Sequence, residues 1–227
     1  MAAETASPSR KATNLQCPHI VFHDVLGANA VAGLLDYVAA RQFDFKPAVV
    51  RNRESGLRRV DYGLRSSVSI ADLGLFAAPF RAFVDKITAH ALDQFRIAEP
   101  ALEPKDFEIN AFRDGGHFGA HIDTSEQVDR VRVLTCVYYF SVTPHRFSGG
   151  ELRIFGLPTL SGGKAGASLP FIDVVPETDT MVVFPSWLRH EVMPVRVPSG
   201  AWIDGRFTIN CWLHRVSPPS GNTSMPN

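Results

Sequence analysis

The run Arg130-Val-Arg-Val-Leu-Thr-Cys-Val-Tyr-Tyr-Phe-Ser141 is β-branched and aromatic, with no helical stripe in it. It reads as a strand on which Thr135, Val137 and Tyr139 share one face. It has company on both sides. Phe107–Phe112, Glu151–Phe155, Phe171–Val175, Thr180–Phe184, Glu191–Val197 and Arg206–His214 are similar short runs, separated by Gly, Pro and Ser breaks. Several short strands with no helix between them point to a sandwich, barrel or jelly roll rather than a parallel βαβ sheet. Upstream, two amphipathic helices are expected. One starts at an Asn29 cap, with Val31, Leu34, Leu35 and Val38 on its apolar face. The other starts near Pro79 and carries Phe80, Phe83, Val84, Ile87, Ala91, Leu92 and Phe95. The expectation is a mainly β, α+β chain: helices to about residue 98, then a β core over about 105–216.

Composition bounds the rest. A chain of 227 residues with 45% apolar content can bury a sizeable core, and no linker divides it, so residues 17–216 are expected to form one domain. The polar segments 1–16 and 217–227 read as disordered tails. The 23 Lys and Arg are matched by 23 Asp and Glu. That balance argues against nucleic acid or an anionic membrane surface as the partner. No run approaches the roughly 18 apolar residues of a membrane span, and segment 1–16 lacks the apolar stretch of a secretory signal. Three cysteines, Cys17, Cys136 and Cys211, are odd in number and widely spaced. They exclude a disulfide scaffold and suit a reducing cytoplasm.

The eight histidines are the surplus to explain. His121 and Asp123, after the glycine-rich turn Asp114-Gly-Gly-His-Phe-Gly-Ala120, point to the same side of an extended chain and can converge on one ion. The third ligand must come from elsewhere, and His190, after the apolar run Met181–Pro185, is the candidate. Two imidazoles and one carboxylate on one face of a metal leave about three positions open, the arrangement of non-haem Fe(II) oxygenases. Downstream, Arg206-Phe-Thr-Ile-Asn-Cys-Trp-Leu213 places Phe207, Ile209, Cys211 and Leu213 on one face and Arg206, Thr208, Asn210 and Trp212 on the other. The second face either meets solvent or lines a polar site. A buried guanidinium there would match a carboxylate through two parallel hydrogen bonds.

In this order, His121-x-Asp123, His190 and Arg206 resemble the Fe(II)/2-oxoglutarate-dependent dioxygenases, in particular their prolyl-hydroxylase branch. Leu134-Thr-Cys-Val-Tyr-Tyr-Phe140, Ser148-Gly-Gly-Glu-Leu-Arg-Ile-Phe155, His190-Glu-Val-Met-Pro-Val195 and Arg206-Phe-Thr-Ile-Asn-Cys-Trp212 extend the likeness over about residues 107–214. The resemblance implies a double-stranded β-helix (jelly-roll) core. It also implies Fe(II) held by His121, Asp123 and His190, with 2-oxoglutarate and O2 as cosubstrates. Arg206 and Tyr139 would bind the distal carboxylate of 2-oxoglutarate, and Leu152 would pack on its chain. Phe112, His117, Arg153 and Trp212 are the implied substrate contacts. The implied reaction hydroxylates an unactivated C–H bond of a prolyl residue, a free amino acid or a small metabolite, releasing succinate and CO2. A non-catalytic 2-oxoglutarate or metal sensor on the same barrel is the alternative. With Asp123 present, the vacancy used by the family's halogenases is missing.

Two departures stand out. Phe112 occupies a slot that often carries tyrosine in this branch. The segment Pro198–Gly205 lengthens the interval after His190, which makes Arg196 a rival to Arg206. The loop 156–170 is a candidate lid. Its Ser161-Gly-Gly-Lys lacks the spacing of a phosphate loop.

Overall fold

The computed structural model describes residues 17–51, 57–99, 101–124, 131–157 and 169–216. Two sheets form the body, and the helices cover the outside of one of them. The first elements are β1 (Ile20–His23) and α1 (Ala28–Ala40). The short strands β2 (Lys46–Pro47), β3 (Arg65–Ser66) and β4 (Val68–Ile70) precede α2 (Ala77–Phe95). Then come β5 (Leu102–Phe112), β6 (His117–His121), β7 (Arg132–Phe140), β8 (Leu152–Phe155), β9 (Phe171–Val174), β10 (Thr180–Pro185), β11 (His190–Val192) and β12 (Arg206–Arg215).

The larger sheet runs β1-β10-β7-β12-β5-β4-β2 and the smaller one β9-β8-β11-β6-β3. Every pairing between these strands is antiparallel. This is the expected jelly-roll core. Period-two alternation sorts the side chains of β7. Leu134, Cys136, Tyr138 and Phe140 join Phe207, Ile209, Cys211 and Leu213 of β12 in the core beneath the helices. Val137 and Tyr139 face the other way, with Leu152, Ile154, Val182 and Phe184, and fill the space between the sheets. Burying Arg206 and Thr208 on the inner face removes solvent as the explanation of that polar alternation.

Both helices occur, with shifted starts. α1 begins at Ala28 after Gly27 (φ +85°), so Asn29 lies inside the first turn instead of capping it. Asp179 takes over the entry: its carboxylate accepts the N–H groups of Leu26 and Gly27 at 2.9 Å each, and the Tyr138 hydroxyl at 2.9 Å. α2 begins two residues before Pro79, through the 3-10 turn Gly74–Phe76. Pro79 still falls in the first turn, where its missing N–H costs nothing. Val31, Leu34 and Val38 of α1 and Phe80, Val84, Ile87 and Ala91 of α2 are buried on the larger sheet.

The order of helices first and strands afterwards is corrected. β1, β2, β3 and β4 precede α2 and extend the edges of the two sheets. They are two to four residues long, too short for alternation to register. The expected strand Glu191–Val197 is divided at Met193-Pro194, and Val195–Arg196 pairs instead with Ser148–Gly149. The expected tails 1–16 and 217–227 and the middle of the expected lid, 158–168, lie outside the described residues. The base of that loop is closed by Gly156 N donating to Pro170 O at 2.7 Å. Among the described residues no helix is long and apolar enough to cross a membrane.

Candidate active site

The three predicted ligands meet between the sheets. His121 ends β6 and His190 begins β11, and the two are direct partners across the ladder. Asp123 lies just beyond β6, where its N–H donates to Ser186 O at 3.0 Å. The ligand atoms of His121, Asp123 and His190 all fall within 4.8 Å of one another. Asp123 Oδ1 is 3.6 Å from His121 Nε2, and Oδ2 is 3.5 Å from His190 Nε2. Each imidazole is oriented through its other nitrogen: His121 Nδ1 lies 2.9 Å from Gly119 O and His190 Nδ1 2.9 Å from Leu188 O. With Nδ1–H donating to a carbonyl, each Nε2 lone pair is left for a cation.

The electrostatics agree. Burial and the neighbouring His121 push His190 down to about 4, against the pull of Asp123, so the ring is neutral at ordinary pH. Burial works against the charged form of Asp123. The facing His190 and His121, together with the approach of the Trp212 indole, outweigh it and hold the carboxyl well below its usual range. Thr135 Oγ1 donates to Asp123 Oδ2 at 2.7 Å and lies 2.9 Å from Ser186 Oγ. An anionic carboxylate facing the neutral His190 ring and the His121 imidazole, all oriented from behind, is a facial donor set for a divalent metal.

Arg206 opens β12 on the same inner face, 1% exposed. Its guanidinium lies 4.9 Å from the Phe112 ring centre and 5.0 Å from that of Tyr139. Nε and Nη2 of Arg206, the Tyr139 hydroxyl and Thr208 Oγ1 are buried and have no hydrogen-bond partner. Leaving such groups unpaired costs on the order of 1–3 kcal/mol each, more for a charge. They therefore describe a cradle for an anion. Leu152, 2% exposed, packs with Tyr139 in the same core. Gly150 (φ +72°) makes room, since a Cβ there would come within 2.6 Å of Arg206 Cδ. The rival Arg196 is exposed.

The implied substrate contacts divide. Trp212 is on the inner face beside Asp123, with Nε1 buried and unpartnered. Phe112 is buried under Arg206, so it shapes the anion cradle. His117 is a correction. His190 pairs with His121 but Val192 with Phe118, so β6 holds one extra residue and its alternation flips. Phe118 then shares the face of His121 and stacks on it (3.6 Å, 17°), while His117 turns away, its Nδ1 3.0 Å from Gly115 O. Arg153 is also a correction. It alternates with the buried Leu152 and Ile154 and is held on the outside of the smaller sheet by Asp173 (2.8 and 2.9 Å) and Glu191 (3.8 Å).

Sequence reasoning misses two participants. Thr135 shares the inner face with Tyr139, and that parity is the available signal for its contact with Asp123. Ser186 sits on a segment without periodicity and carries none.

Residues 107–214 match the family model of the 2OG-Fe(II) oxygenase superfamily. Over those residues the barrel is similar to that superfamily. Its members use Fe(II), 2-oxoglutarate and O2, and the donor set and anion cradle of this barrel fit the first two. A PKHD-type hydroxylase of Synechocystis sp., itself uncharacterized, is 34% identical over 121 residues, covering 53% of this chain and 38% of the relative. The chain spans between 38% and 60% of the length of the curated relatives it matches. Among solved structures, a Pseudomonas putida prolyl-4-hydroxylase superposes with a TM-score of 0.60 at 21% identity, over 87% of this chain and 92% of that one. A Trichoplax adhaerens prolyl hydroxylase, solved with a peptide fragment of the hypoxia inducible factor, gives 0.60 at 15% identity, over 86% and 83%. At those identities the structural neighbours establish the fold. The fold is thus like that of these two prolyl hydroxylases.

Proposed function

We propose that this oxygenase hydroxylates an unactivated C–H bond, with conversion of 2-oxoglutarate to succinate and CO2. His121, Asp123 and His190 would hold Fe(II), which supplies O2 activation when bound. Arg206 and Tyr139 would bind the distal carboxylate of 2-oxoglutarate, and Leu152 would pack against its carbon chain. The phenol of Tyr139 stays protonated and can donate, because burial pushes it up to about 12 despite the pull of Arg206. The carrying observation is a three-ligand face and a buried, unpartnered arginine inside one barrel. A zinc hydrolase has no use for that arginine. The C–H bond belongs to a prolyl residue, a free amino acid or a small metabolite, and the peptide held by the Trichoplax neighbour supports the first. We place the catalytic unit at residues 17–216. Three buried free thiols support a reducing, cytoplasmic setting.

Under anaerobic conditions, Fe(II) with 2-oxoglutarate should give a visible charge-transfer band in the wild-type protein. His190→Ala and Asp123→Ala should lack it. Under O2, succinate should accumulate from 2-oxoglutarate. Absence of the band, or zinc that iron cannot displace, would overturn the reading. Tight 2-oxoglutarate binding with no turnover across peptides and amino acids would indicate a sensor.

A further inference from the structure

Beyond the arginine cradle, the inner face of β12 continues through Asn210 to Trp212. β5 faces it across the ladder, with Asn110 opposite Thr208 and Glu108 opposite Asn210. Arg65 reaches this wall from β3. It is 9% exposed; its Nε donates to Ser67 Oγ at 2.9 Å, and its Nη2 donates to Asn110 Oδ1 and lies 3.5 Å from Glu108 Oε2. Its guanidinium also sits 4.8 Å from the Phe118 ring centre, and that ring stacks on His121. The wall therefore begins one ring away from a metal ligand.

What this wall can bind follows from its unused atoms. Arg65 holds the carboxamide of Asn110 by its oxygen, which leaves Nδ2 as a fixed donor. Asn110 is 0% exposed and that Nδ2 has no partner. Trp212 Nε1 is a second buried donor, close to the Asp123 carboxylate but with no hydrogen bond of good geometry to it, and Asn210 Oδ1, diagonal to Asn110 on the ladder, is an unpartnered acceptor. Charge on the wall cancels between Arg65 and Glu108. The next cation, Arg132, lies 4.0 Å from the Trp212 ring centre and is already paired with Asp106 at 2.9 Å. A free carboxylate would meet Glu108 and Asp123 with both nearby cations already paired. A carbonyl oxygen with an adjacent N–H fills the two donors and the acceptor without adding charge.

Resting on the oxygenase reading, we propose that Asn110, Asn210 and Trp212 form a substrate subsite for an uncharged amide next to the carbon that is oxidised. Arg65 is its positioning residue: it fixes the direction of the Asn110 carboxamide. The subsite selects residues within a chain, or otherwise capped, over free amino acids.

The test is binding of N-acetyl amino-acid amides and the matching free amino acids to the metal-free full chain, followed by ligand-observed NMR. The capped series should bind at least about ten-fold more tightly. Asn110→Leu should weaken the capped series about ten-fold and leave the free series unchanged. Arg65→Leu should collapse the ratio between the two series and Arg65→Lys should partly restore it, whereas a merely structural role would weaken both series alike. If Asn110→Leu does not fold, Asn110→Ser carries the same expectation. Equal or tighter binding of free amino acids, no binding of any capped residue, or an Asn110 variant within two-fold of wild type overturns the subsite. Because no metal is needed, a missing charge-transfer band with intact amide selectivity would remove the oxygenase reading alone. A normal band without selectivity would remove the subsite alone.

Discussion

Arg206 and Arg196 show how much one side chain's surroundings decide. Both lie downstream of His190, and only burial separates them: Arg206 is enclosed by Phe112 and Tyr139 while Arg196 is exposed. Losing a charge-assisted pair to a carboxylate in a buried site costs about 3 kcal/mol, or roughly 100-fold. Arg206→Ala should therefore raise the apparent KM for 2-oxoglutarate about 100-fold in succinate-release kinetics, with Arg196→Ala close to wild type. The reverse pattern would reassign the cosubstrate cation. Tyr139 carries a pH signature. Its folded value, about 12, lies above the ordinary phenol near 10. Stability tied to the neutral phenol is thus complete below about pH 10 and is lost as pH rises from there through 12. Melting temperature followed from pH 8 to 11.5 should fall less steeply in Tyr139→Phe than in wild type.

At the scale of elements, small backbone features aim the site. The extra residue in β6 turns Phe118 toward His121 and His117 away, a change of face that a strictly alternating strand would not make. The bend at Gly149-Gly150, both with φ +72°, lets the chain pass over Arg206. Gly150→Ala combines an unfavourable φ with a Cβ 2.6 Å from Arg206 Cδ. It should weaken 2-oxoglutarate about ten-fold in a titration of the charge-transfer band, while the His121–Asp123–His190 set still binds metal. An unchanged titration would show that the cradle relaxes freely around the added methyl. The long strands β7 and β12 were legible because nine and ten residues display their alternation. The edge strands β2 and β3, two residues each, were not.

At the scale of the molecule, the helices stiffen the sheet whose other face carries Arg206, Tyr139 and Thr135. Leu34 is fully buried between α1 and that sheet. Leu34→Ala should cost about 3 kcal/mol, lowering the melting temperature by roughly 6–12 °C for a chain of this size. Because Leu34 touches none of the site, the 2-oxoglutarate KM measured well below that temperature should be unaffected. β1 covers the β10 edge of the larger sheet, pairing from Ile20 with Val183 to His23 with Thr180.

The pattern along the chain specifies the β-rich core, the two amphipathic helices and the candidate residues for a metal and a carboxylate. Those depend on side-chain type and on periodicity along the chain, which are local properties. Tertiary structure alone decided which polar residues share an enclosure. His117 and Arg153 lie within the motifs yet leave the site, while Arg65, far from them in sequence, enters it beside Glu108 and Asn110. The physical reason is that a bulge, a strand edge and a buried unpaired donor are fixed by cross-strand register and exclusion of water. Neither is encoded in the spacing of residues along a single strand.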